Sequence, residues 1–150
     1  MYPLQTFSKF KDLNFSNIPI FVEANSDSVT QTLIDFASIL SPKVSVISSK
    51  QRIMLHLCAV FACNFSNHMC AIAEDILQKN NLRFDILKPL LQETFEKLNK
   101  HSPFESQTGP AVRNDINIVY KHVELLCRFP KFVTTYKIIS DSIIDLHNNK

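Results

Sequence analysis

The stretch His56-Leu-Cys-Ala-Val-Phe-Ala-Cys-Asn-Phe-Ser-Asn-His68 decides the reading of this chain. Placed on a helix at roughly 100° per residue, its apolar side chains cover nearly the whole circumference. A helix apolar on every side is a buried helix, so it is expected inside a helical core or between two subunits. Its few polar groups do not scatter evenly. His56, Asn64 and Asn67 fall within roughly 80° of one another, and His68 lies about 40° further on. Buried polar groups need partners, so this strip is either a satisfied structural network or the wall of a pocket. Two histidines and two asparagines can orient a carbonyl or hydroxyl and move its proton. His56, Asn64, Asn67 and His68 are therefore the candidate catalytic residues. No carboxylate stands between the histidines with H-E-x-x-H spacing, so no metal site is expected.

The helix that carries this stretch runs from about residue 50 to 79, with Ser49 as cap and Asn80-Asn81 at its end, since Asn tolerates the left-handed conformation. Further helices are expected over about 85–100, with Pro89 in the first turn, and over about 110–128. Phe129-Pro130 breaks the chain, and a last helix over about 131–146 carries the stripe Phe132, Tyr136, Ile139, Ile143 and Leu146.

Upstream the texture changes. Ile18-Pro-Ile-Phe-Val-Glu-Ala24 reads as a strand, Val29 to Leu40 as a helix ended by Pro42, and Lys43 to Ser48 as a second strand. Tyr2 to Phe7 is a candidate for a further strand. So small a sheet does not stand comfortably alone and is expected to need a partner. The fold class is mostly α: a helical bundle preceded by a short β-α-β unit. The expected division is residues 1–48 and 49–150.

Gly109 is the sole glycine among 150 residues. That shortage excludes G-x-G-x-x-G and P-loop phosphate cradles and the G-x-S-x-G nucleophile elbow. A net charge of +2, with no basic cluster interleaved with aromatics, argues against nucleic acid. Cys58, Cys63, Cys70 and Cys127 lack metal-ligand spacing and are expected to be buried free thiols. No signal peptide is visible, and the longest apolar run is far short of the ~20 residues of a membrane span. A cytoplasmic protein without membrane contact is expected.

Gly109 sits in Ser106-Gln-Thr-Gly-Pro-Ala-Val-Arg-Asn-Asp115. Pro110 suits a first helical position, with Gly109 or Thr108 as cap. Free amides there, with Arg113 one turn in and Gln107 and Thr108 as donors, would make an anion site. Asp115 and His122 share a helix face but lie roughly 10 Å apart. Gln107, Thr108, Gly109, Arg113, Asp115 and His122 are thus the candidate substrate-binding residues. Alternatively, Arg113 and Asp115 are surface or interface ion pairs. His101 and His147 receive no role.

Tyr2 to Ser8, Ile18 to Ala24, His56 to His68 and Ser106 to Asp115 occur in the order found in a bacterial family. The chain resembles the Rossmann-like oxidoreductases that carry a C-terminal domain of unknown function, DUF2520. The resemblance spans essentially the whole chain. It implies an NADP-dependent enzyme whose helical domain is similar to that of 6-phosphogluconate dehydrogenase, dimerises and supplies substrate-side residues. Residues 1–48 would be the final β-α-β part of a truncated nucleotide domain. The glycine-rich half is absent from this sequence, so no cofactor is expected for this part alone, and it should be inactive without that half. Such dehydrogenases often place Lys and Asn one turn apart on the first helix of this domain. Asn64 fits the Asn, but Val60 stands where the Lys would be, and His56 lies a further turn back. A non-catalytic helical dimerisation module is the competing reading.

Overall fold

The computed structural model of the chain describes residues 1–7 and 12–148. Ser8, which closes the first motif quoted above, lies outside the described residues, as do Asn149 and Lys150 at the end of the expected helical domain. The chain divides into two packing units, Met1–Ser66 and Asn67–Lys150.

The first unit holds the expected β-α-β. Strand β2 (Ile20–Val22) leads into helix α1 (Asp27–Leu40) and returns as β3 (Val44–Val46), parallel to β2 with Ile20 opposite Val44. The candidate strand at the N-terminus shortens to β1 (Tyr2–Pro3), which pairs antiparallel with β2. Ile20, Val22 and Ala37 are fully buried, with Phe15, Leu33, Ile34 and Val44 packed against them. One polar side chain completes this core. Ser41 Oγ donates to the carbonyl of Ile18 (2.7 Å) and accepts from the amide of Lys43 (3.1 Å), so burial leaves it satisfied.

Helix α2 (Ser49–Ala59) starts one residue earlier than the sequence places it, with Ser48 rather than Ser49 as its cap, in a capping box with Gln51. Glu23, just beyond β2, accepts from the Ser49 amide (2.6 Å) and hydroxyl (2.7 Å) and pairs with Arg52 (3.5 Å). The helix continues through a π-helical segment, Val60–Phe65, into α3 (Ser66–Gln78). Asn81 adopts φ 58, and the Leu82 amide closes back on the Leu77 carbonyl (2.9 Å), the expected left-handed stop.

The second unit adds α4 (Lys88–Lys97), with Pro89 in its first turn, α5 (Ile116–Leu126) and α6 (Val133–Asn148). Asp75 of α3 holds Lys79 (3.1 Å) and Lys131 (3.0 Å). The two ammonium groups, Lys131 first, keep its carboxyl below the ordinary aspartate value of 3.8.

One expectation is narrowed and two need correction. The long helix is not buried within this chain: none of its residues from 49 to 78 is buried, and Ile53 and Phe61 are 65% and 63% exposed. By length and composition it could cross a membrane, which a count of uninterrupted apolar residues misses. The cysteines are free, but Cys58, Cys63 and Cys127 are exposed rather than buried. The third helix begins at Ile116, not at Pro110. Residues 110–114 form a turn that closes with the Asp115 amide on the Pro110 carbonyl (2.8 Å), and Asn114 takes φ 53. That backbone cannot continue an α-helix.

Candidate functional site

The helical unit holds a cavity of about 260 Å³. Met69, Ile72 and Ile76 of α3 form one wall, and Phe132 with residues 135–143 of α6 the opposite one. The loop Thr108-Gly-Pro-Ala111 and Leu126 of α5 close the rest. No charged side chain lines it. Gly109 has φ +113, a conformation that L side chains rarely adopt, so glycine is needed for this bend of the wall. Ala111 behind it is buried.

The polar groups of the wall come from α6. Tyr136 and Ser140 are four residues apart and so neighbours on one helix face. Tyr136 Oη lies 2.8 Å from His122 Nδ1 of α5, with the two rings edge to face. Ser140 is 6% exposed, and its hydroxyl has no hydrogen-bond partner among the described residues. The same helix is pinned near its end. His147 Nδ1 lies 2.9 Å from the Ile143 carbonyl, and its ring stacks on Phe104 at 4.2 Å. His147 thus anchors the turn that leads toward the Gln107-Thr108-Gly109 loop.

Of the six residues expected to bind substrate, Thr108 and Gly109 reach the cavity wall, and His122 reaches it through Tyr136. Gln107 turns onto its own loop, donating to the Thr108 carbonyl (3.0 Å). Arg113 is exposed and is not part of the wall. Asp115 is the N-cap of α5, where Oδ1 accepts from the Ile118 amide (3.3 Å). The anion site expected at Gly109 is therefore corrected. The helix starts six residues later, and its N-terminal amides meet the protein's own carboxylate, which fills the place an anion would take.

The polar strip of the long helix is distributed differently. His56 is exposed, with Nδ1 3.3 Å from the Tyr2 hydroxyl of β1. Asn64 lies in the π-helical segment, whose i→i+5 turns wind less per residue than an α-helix. The uniform 100° spacing used to align the strip does not hold across it. Asn67 and His68 are exposed and do not line the cavity. The strip is a surface feature of this chain, and the cavity is not built from it. Among the described residues no group of three His, Cys, Asp or Glu side chains is placed to hold a metal ion.

Sequence reasoning missed Tyr136 and Ser140. Tyr136 stands in an apolar stripe and reads as core, and only the neighbouring helix reveals its histidine partner. A readable signal existed for the late start of α5. Asn114-Asp115 ahead of Ile-Asn-Ile-Val is a left-handed residue followed by a strong N-cap.

The comparisons with known proteins fit this architecture. The chain is 44% identical to a candidate NADP oxidoreductase of Bacteroides fragilis whose crystal structure superposes with a TM-score of 0.92, covering 96% of this chain and 56% of that one. A protein of Thermotoga maritima, 20% identical, shares the fold with a TM-score of 0.74, covering 90% of this chain and 55% of that one. The chain thus spans about half the length of the solved structures it matches. No curated protein matches it. Residues 18–143, which run from β2 into α6 and include the whole cavity wall, match the domain of unknown function DUF2520, and the chain belongs to that family.

Proposed function

We infer that this chain is the substrate-binding and dimerisation part of an NADP-dependent oxidoreductase of the cytoplasm. On this reading residues 1–48 complete a nucleotide-binding domain whose glycine-rich loop lies elsewhere in the full protein, and residues 49–150 form the substrate side. The observation that carries it is the 44% identity, over nearly the whole chain, to a candidate NADP oxidoreductase about twice as long. The small sheet supports it. Its strands β2 and β3 run parallel as in a nucleotide-binding sheet.

Dimerisation is supported by the apolar side chains that the long helix leaves exposed. Ile53, Met54, Leu57, Phe61 and Phe65 expose an apolar surface on the long helix. A second protein chain suits it better than lipid, because His56, Asn64, Asn67 and His68 would have to enter the hydrocarbon.

The test is nucleotide binding. The 150-residue chain should show no thermal shift or fluorescence change with NADPH, whereas the same chain extended upstream to a G-x-G-x-x-G stretch should show both. An extended protein that responds to neither NADPH nor NADH would remove the oxidoreductase reading and leave a helical dimerisation module.

A further inference from the structure

We propose that the cavity between α3 and α6 binds an uncharged, predominantly apolar small molecule bearing one carbonyl or hydroxyl oxygen, which Ser140 and Tyr136 hold. The proposal names the substrate class for the helical unit and rests on reading that unit as the substrate side.

Three observations carry it. First, the wall holds no charged side chain, and its apolar residues come from α3, α5, α6 and the Thr108-Gly-Pro-Ala111 loop. A carboxylate or phosphate entering such a site would lose its hydration without compensation. Second, Ser140 is more than nine-tenths buried and forms part of this wall. No hydrogen bond engages its hydroxyl among the described residues, so it is open to a ligand oxygen; the fully buried hydroxyl without a partner among those residues belongs to Ser106, away from this wall. A ligand oxygen supplies what the protein withholds. Third, Tyr136, one turn before Ser140, bonds His122 through its hydroxyl. When His122 Nδ1 carries the proton it donates to Tyr136 Oη, and the Tyr136 proton is free for a carbonyl. When Nδ1 is bare it accepts the hydrogen bond from the Tyr136 hydroxyl, and Oη is left to accept from an alcohol. The pair suits both members of a carbonyl–alcohol couple without any net charge in the cavity.

The experiment uses the 150-residue chain with 13C-labelled isoleucine methyl groups and three probes of similar shape. These are acetophenone, isopropylbenzene, which lacks the oxygen, and benzoate, which carries a charge. Acetophenone should move the methyls of Ile72, Ile76, Ile139 and Ile143 saturably and leave those of Ile39 and Ile53 in place. Isopropylbenzene should bind about two- to tenfold more weakly, the usual worth of one hydrogen bond. Benzoate should not bind there. Tyr136→Phe and Ser140→Ala, which keep the shape of the wall, should narrow the gap between acetophenone and isopropylbenzene while the folded methyl spectrum persists. Absence of saturable shifts at the four wall isoleucines overturns the proposal. So does equal binding of all three probes with no effect of either variant. The measurement needs no nucleotide. A pocket that binds acetophenone in a protein that fails the NADPH test would therefore sink the oxidoreductase reading and spare the ligand class.

Discussion

Replacing Gly109 with alanine isolates one physical term. An added Cβ meets no atom within 4 Å, so the substitution creates no clash. What remains is the backbone at φ +113. Holding an L residue in such a region costs about 1–3 kcal/mol. Alanine also stiffens the unfolded chain, which returns about 0.4–1 kcal/mol. The net expectation is a loss of about 1–2 kcal/mol. For a protein of this length each kcal/mol lowers Tm by about 2–4 °C, so Gly109→Ala should melt about 2–8 °C below the parent by circular dichroism. Gly109→Ser should match it closely, because the space around the Cβ is open and only φ matters. A Gly109→Ala melt indistinguishable from the parent would show that the loop does not hold this bend. A serine variant much worse than the alanine would show that crowding, not backbone strain, sets the cost.

Three further outcomes follow from particular contacts. Asp115→Ala should cost about 0.5–2 kcal/mol in urea unfolding through loss of the α5 cap, while Asp115→Asn should cost little. Equal losses for both would point to the charge rather than the cap. The Asp75 carboxyl is held below its ordinary value first by Lys131 and then by Lys79, so its stabilising effect is present above that value and is lost as the pH falls through the lower folded one. The gap in urea midpoint between the parent and Asp75→Asn should accordingly be open at about pH 7 and narrow as the pH falls below the ordinary aspartate range. A gap independent of pH would contradict the ion-pair account. Phe61→Glu, which places a charge on the exposed apolar surface of the long helix, should convert a dimer to a monomer in analytical ultracentrifugation. A parent chain that already sediments as a monomer would refute the dimer seam.

The elements that sequence and structure share are those governed by local chemistry. Pro42 ends α1, Asn81 stops α3 and Pro89 sits in the first turn of α4. Each is a single residue or pair whose backbone preference is strong enough to act within one turn. The reading of Pro110 as a helix start failed for a reason of the same kind. Two local signals competed, and Asn114-Asp115 outweighed Gly109-Pro110, because a left-handed residue cannot be passed through by a helix. The candidate site was only partly legible. Thr108, Gly109 and His122 were readable as candidates, whereas Tyr136 and Ser140 looked like core and an ordinary helix position.

The sequence by itself determined the β-α-β unit, the number and rough span of the helices and the absence of any phosphate-binding loop, because periodicity, prolines and a single glycine are local facts. It also marked the long helix as apolar all round. Only the tertiary structure decided that this helix stays exposed on the chain and contains a π-helical segment. It likewise decided that a cavity lies between α3 and α6, lined by apolar side chains with a few hydroxyls and no charges. Which faces meet depends on contacts between residues dozens of positions apart, such as His122 with Tyr136 or Asp75 with Lys131. No local preference encodes that pairing.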